Sequence, residues 1–187
     1  MTANRVLYLL GSAAPPVLNI AGVIEQAQTA DWDVCLGLTP TAACWLGDDL
    51  PALEELTGHP VRSQYKLPRE PDVWPPADVA VVAPATFNTI NQWALGITDK
   101  FVVGFVAEAI GKGIPTVTMP CVNAAYVQHT QFDTSIATLR AMGVRVLYGD
   151  GGFVPNQPGQ GRPENYPWHL ALEAAASALS RRDARGR

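Results

Sequence analysis

Five short runs of β-branched and aliphatic residues recur along the chain, at residues 5–10 (RVLYLL), 33–38 (DVCLGL), 79–83 (VAVVA), 115–119 (PTVTM) and 144–147 (VRVL), with longer stretches of helical spacing between them. The first and third runs are apolar on both faces, as a strand is when helices cover both sides of a parallel sheet. The alternation predicts an α/β fold with right-handed crossovers. Helices are expected over residues 17–30, 50–56, 87–95, 100–112 and 123–142, with a last one over roughly 167–180. Gly113 and Gly143 each stand just beyond one of these stretches, where glycine adopts the left-handed helix stop at little cost.

A chain of 187 residues, 48% hydrophobic and 16% charged, suits one well-packed domain and excludes general disorder. Residues 1–180 are read as that domain and 181–187 (RRDARGR) as a frayed, charged C-terminal tail. Two segments break the α/β rhythm: 66–76, with four prolines in eleven residues, and 149–168, with nine Gly or Pro in twenty, and both read as loops. The net charge of -4 has the wrong sign for tracking a polyanion, so nucleic acid is not an expected partner. No window approaches the roughly 18–20 apolar residues of a membrane span, and the N-terminal segment lacks the pattern of an export signal. Cys35, Cys44 and Cys121 are odd in number with no CxxC spacing, which leaves a disulfide framework or a metal site without support and makes the cytoplasm the expected compartment.

In an open parallel sheet, ligands collect where the carboxyl ends of strands enter helices, because backbone N–H groups there are unpaired. Four such junctions stand out. Gly11-Ser12-Ala13-Ala14 combines close backbone approach with a hydroxyl, although Ser12 could equally be a helix cap. Thr39-Pro40-Thr41-Ala42 pairs two hydroxyls with a proline at the first helical position, and Trp45 follows as core or as a flat ligand wall. Ala83-Pro84-Ala85-Thr86-Phe87-Asn88-Thr89 leaves a buried strand and offers three hydrogen-bonding side chains at once. Met119-Pro120-Cys121-Val122-Asn123-Ala124 places an amide, that of Asn123, that can both donate and accept. Neutral donors at four strand ends, without a Lys or Arg cluster, describe a phosphate held by dipoles beside a planar ring, as in flavin mononucleotide (FMN). The sequence has no GxGxxG after the first strand, no GxxxxGK[ST] and no GxSxG, which removes the dinucleotide, nucleoside triphosphate and esterase readings.

At these loops the chain resembles the flavin-containing cysteine decarboxylase family of flavoproteins. The family's segment APASANT, followed by a helix and GIxDN, corresponds to APATFNT at residues 83–89 and Gly96-Ile97-Thr98-Asp99-Lys100 in the same order and spacing. The resemblance covers residues 5–160 and implies a flavodoxin-like three-layer α/β/α sandwich, FMN as cofactor, and a homotrimer or multiple of trimers with the groove completed by a neighbouring subunit. It implies that Ser12, Thr41 and Thr86 hold phosphate, that Asn88 supports that loop, and that Gly11, Thr39, Trp45, Pro84 and Ala85 complete the cofactor site. The broad apolar helix at 101–110 fits a subunit contact, or burial on all sides within the monomer.

The chain also departs from the family's pattern. Where the family has its catalytic histidine, about eight residues before the Ala77-Asp78 pair, stands Glu70, which could act as a base only if burial raised its pKa. His59, His129 and His169 read as structural or surface residues. The family's PxMNxxMW survives as Pro120-Cys121-Val122-Asn123-Ala124-Ala125-Tyr126-Val127, so Asn123 is kept for a substrate carboxylate or the flavin edge. Tyr148 stands where phosphopantothenoylcysteine decarboxylases have their substrate-clamp cysteine. The implied function is FMN-dependent redox or decarboxylation chemistry on a small polar or thiol-bearing substrate. A non-catalytic FMN-binding protein acting through a protein partner is the alternative. A prenyl-FMN-forming transferase is disfavoured by the lack of an Arg and Glu cluster near Asn123.

Overall fold

A computed structural model describes residues 5–185. Strands β1 (Arg5–Gly11), β2 (Trp32–Leu38), β3 (Val79–Ala85), β4 (Thr116–Pro120) and β5 (Arg145–Val146) form one parallel sheet in the order β2-β1-β3-β4-β5. This is the flavodoxin-like order, with its switch point between β1 and β3. Seven α-helices are described: α1 (Ile20–Thr29), α2 (Pro40–Leu46), α3 (Leu50–Thr57), α4 (Phe87–Ala94), α5 (Phe101–Gly111), α6 (Thr130–Ala141) and α7 (Trp168–Arg185).

Strand residues alternate between two cores. Leu7, Leu9, Val79, Val81 and Ala83 pack with α1, α2, α3 and α7 on one face. Tyr8, Leu10, Ala80 and Val82 pack with α4, α5 and α6 on the other. Helices thus cover both faces, as the doubly apolar runs require. Gly113 and Gly143 take φ values of 67° and 90° beyond α5 and α6, the left-handed stops expected there.

Three expected elements differ. Pro15 and Pro16 hold residues Pro15–Asn19 in a 3-10 turn, so α1 begins at Ile20 rather than at 17. Residues 123–142 are not one helix, because the Asn123 side chain competes for the backbone. Its Oδ1 accepts from the N–H groups of Ala125 (3.0 Å) and Tyr126 (3.1 Å), a 3-10 turn Tyr126–Gln128 follows, and His129 Nδ1 caps α6 by accepting from Gln131 N at 3.1 Å. Helix α7 runs past residue 180 to Arg185 instead of fraying at 181. Arg182 donates to the Asp78 carboxylate at 3.0 Å and the Asp78 carbonyl at 2.9 Å, while the other Asp78 carboxylate oxygen accepts from Val6 N at 2.9 Å. The last helix is thereby tied to the start of β1 and β3; residues 186–187 of the expected tail lie outside the described part.

The breadth of α5 is used within the chain. Phe101, Val102, Val103 and Val106 are buried, and the segment leading into and through the proline-rich stretch straps over the helix. The Arg62 guanidinium lies 4.1 Å from the Phe101 ring centroid and 5.1 Å from that of Trp74, whose Nε1 donates to Pro60 O at 2.8 Å. Tyr65 Oη donates to Thr98 O at 2.7 Å and rests over Gly104, where any side chain would meet the phenol. Arg62 also pairs with Leu36 and Leu38, covering the edge of β2.

Candidate functional site

The turns leaving the central strands are joined by backbone hydrogen bonds. Ser12 N donates to Pro84 O (3.0 Å), Thr39 N to Gly11 O (2.9 Å) and Cys121 N to Ala85 O (2.8 Å). Thr39 caps α2 by accepting from Ala42 N at 3.4 Å, with Pro40 at the first helical position. Thr86 caps α4 by accepting from Thr89 N at 3.3 Å. Two helix starts therefore face one place at the carboxyl edge of the sheet, at the switch point.

A cavity of about 1130 Å³ lies there. It slightly exceeds the roughly 300–1,000 Å³ of ordinary small-molecule sites. Thr39, Thr41 and Trp45 line it from the β2 exit, Thr86, Asn88 and Thr89 from the β3 exit, and Cys121 and Asn123 from the β4 exit. Trp45 is 48% exposed, so it forms wall rather than core.

The remaining expected cofactor residues are placed behind this wall. Gly11, Pro84 and Ala85 are strand-end backbone that the inter-turn hydrogen bonds consume. Ser12 is 1% exposed and caps no helix; its hydroxyl bonds to that of Thr89 at 2.9 Å, and Thr89 bonds to Thr86 at 3.0 Å. The hydroxyls of Ser12, Thr89 and Thr86 form a chain whose outer end reaches the cavity. Glu70 is not in the wall: it is exposed, and its carboxylate accepts from Leu67 N at 2.7 Å, closing its own turn. Among the described residues no histidine lines the cavity; His59 pairs with Asp33 at 2.7 Å, His129 caps α6, and His169 is exposed on α7.

The proline- and glycine-rich segment at 149–168 forms the far wall. Ala124 N donates to Asn156 O at 2.8 Å, Tyr166 Oη donates to Met119 O at 2.6 Å, and the 3-10 turn Pro163–Asn165 packs against Pro15–Asn19. The segment thus arches from the β4 exit to the β1 exit. It brings Arg162 into the wall, and Lys100 enters it from the start of α5; the strand-end loops carry no Lys or Arg cluster, and these two cations are additions to the site from elsewhere in the chain. Lys100 donates to Gln92 at 2.9 Å and lies 3.7 Å from Asp99. Both cations come from segments remote from the strand ends: Lys100 closes the segment that corresponds to GIxDN, which was not read as part of the wall, and Arg162 has no local motif around it. Thr89 and Tyr126 are further wall residues that sequence reasoning left unassigned.

Burial pushes the Cys121 thiol up to about 11, so at neutral pH this wall residue is a protonated thiol. The buried Tyr166 phenol is also held well above its ordinary value, first by desolvation and then by Cys121. The Asn123 Oδ1 is taken by its own turn, which leaves its Nδ2 as the free group.

A family model described as Flavoprotein matches residues 4–166. No curated protein matches the chain. Among solved structures, the FMN-dependent cysteine decarboxylase SpaF is 21% identical and covers 96% of this chain and 97% of its own, with a TM-score of 0.69. The FMN-dependent cysteine decarboxylase TvaF from thioviridamide biosynthesis is 21% identical over 93% of this chain and 99% of its own, also at 0.69. AnUbiX in complex with FMN and dimethylallyl pyrophosphate is 11% identical over 76% and 77%, at 0.64. At these identities the likeness shows the shared fold.

Proposed function

The chain belongs to the flavoprotein family, and on that premise we propose that it binds FMN and performs flavin-dependent redox or decarboxylation chemistry on a small polar or thiol-bearing substrate. The observation that carries this reading is the convergence of four strand exits on one cavity larger than a single ordinary ligand requires. When bound, FMN would supply two-electron redox chemistry. Thr39, Thr41 and Thr86, with the free N–H groups at the start of α4, would hold its phosphate through neutral donors. Asn88 lines the same exit, and Ser12 acts through Thr89 on the orientation of Thr86. Asn123, with its Oδ1 occupied, offers an N–H donor to a substrate carbonyl or carboxylate. Cys121 is a neutral thiol at the same wall, able to donate a proton.

Purified holoprotein should absorb as an oxidised flavin, and thiol-bearing substrates should bleach it under anaerobic conditions. Mass spectrometry of the released cofactor separates FMN from a prenylated flavin. A specific observation favours a second reading: among the described residues the wall contains no His, Asp or Glu to serve as an ordinary general base. In that reading the chain binds FMN and acts through a protein partner, and failure of every cysteine derivative to bleach the flavin would select it. Self-association, with a neighbouring subunit completing the groove, is supported by Leu95 and Ile97, exposed at 58% and 46% in the turn that leads to wall residue Lys100.

A further inference from the structure

The chain as a whole is acidic, with 17 acidic against 13 basic residues, yet the charged side chains lining its large cavity are Lys100 and Arg162, with no carboxylate among the described wall residues. The two cations are differently committed. Lys100 is held by Gln92 and lies near Asp99. Arg162 forms no side-chain hydrogen bond or ion pair with any described residue, although it is anchored in position by the arch around it. Its carbonyl accepts from Asn165 N at 3.0 Å as the turn Pro163–Asn165 begins, and that turn packs on Pro15–Asn19. An arginine fixed by its backbone, exposed toward a cavity and lacking a counter-ion retains its full capacity for a planar, bidentate anion.

The cofactor phosphate does not need this arginine in the reading above, because three threonine hydroxyls and the α4 N–H groups already form a neutral phosphate cradle. The arch brings four amides to the same wall: Asn156, Gln157, Gln160 and Asn165 line the cavity and can donate hydrogen bonds to oxygen. We propose that Arg162, assisted by these amides, is an anion-recognising residue for the second molecule in the cavity, separate from the cofactor phosphate site and from Asn123. The ligand chemistry it selects is an oxyanion, either a carboxylate or a phosphate ester. This rests on the flavin reading for the role of the threonine cradle, but binding of an anion at Arg162 does not.

The test compares wild type with Arg162→Gln, which keeps a hydrogen-bonding amide on a shorter side chain and removes the charge and the fork. Inorganic phosphate and acetate are titrated into holoprotein, followed by the flavin absorption spectrum, and into apoprotein, followed by calorimetry. Wild type should show saturable binding of at least one of the two, and the preferred anion identifies the source. Arg162→Gln should weaken that binding about tenfold or more while its preference for FMN over riboflavin stays unchanged. Loss of the FMN-over-riboflavin preference in the variant would assign Arg162 to the cofactor phosphate and overturn the proposal. Equal anion binding by wild type and variant, or no anion binding by wild type, would overturn it as well. Anion binding to apoprotein in a chain that takes no FMN would sink the flavin reading and leave the arginine subsite standing.

Discussion

Thr89 is the middle hydroxyl of the Ser12, Thr89, Thr86 chain, and Thr89→Val replaces it with a side chain of nearly the same shape. Two hydroxyl hydrogen bonds disappear, at about 1 kcal/mol each, and Ser12, which is 1% exposed, loses its side-chain partner among the described residues at a site water does not reach. The expected loss of stability is about 2 kcal/mol, or a fall in melting temperature of about 4–8 °C for a domain of this size. Ser12→Ala alone removes one bond and leaves Thr89 paired with Thr86, so it should cost about 1 kcal/mol. In the Thr89→Val background the same Ser12→Ala change removes an orphaned hydroxyl and should be close to neutral. Urea unfolding of the four apoproteins gives the cycle. A coupling energy of about 1 kcal/mol supports a connected chain; additivity within about 0.5 kcal/mol would refute it. FMN affinity, measured on the same proteins, should fall in Thr89→Val because Thr86 loses the group that orients it.

Asn123→Asp keeps an acceptor for Ala125 N and Tyr126 N but removes the Nδ2 donor, so stability should hold within about 1 kcal/mol while binding of a carboxylate-bearing substrate weakens; Asn123→Ala should impair both, read by urea unfolding and flavin perturbation. Gly104→Ala should displace Tyr65, break its bond to Thr98 O and loosen the strap over α5, seen as faster proteolysis within residues 63–76. Burial pushes the Cys35 thiol from 9.0 up to about 12 and the Tyr8 phenol from 10.0 up to about 12. Because the folded values lie above the unfolded ones, this stability is fully present below pH 9 and is lost as pH rises from there toward 12; Cys35→Ala should flatten part of that alkaline loss in thermal melts. Gel filtration should report an assembly larger than a 20.0 kDa monomer, and a monomer that retains FMN would contradict the shared groove.

The sheet was legible because burial on both faces leaves no choice of period: each of the five apolar runs is a strand, and their parallel order follows the α/β alternation. The threonine caps were legible for a similar reason, since a hydroxyl beside a strand end and a helix start has few other uses; Thr39 and Thr86 occupy those positions. The orientation of a side chain at a turn was not legible. Ser12 and Thr89 are both hydroxyl residues near strand ends, and only the packing of β1 against β3 turns the first inward and the second toward the cavity. Asn123 read as a helix start, but its own amide closes a turn and delays α6 by seven residues, to Thr130. Arg162 and Lys100 lie in segments whose periodicity carries no information about the cavity. Their approach is a consequence of where Tyr166 docks and where α5 begins. Glu70 was selected by its distance from Asp78 in sequence, and the proline-rich strap takes it elsewhere.

The claim at the centre of this account is that neutral donors at adjoining strand ends hold a ribityl phosphate. Equilibrium titration of apoprotein with FMN and with riboflavin, for wild type and Thr86→Val, tests it most directly. Wild type should bind FMN saturably and much more tightly than riboflavin, and Thr86→Val should lose most of that preference while still folding. Equal affinity of wild type for the two flavins, or an undiminished preference in Thr86→Val, would contradict it.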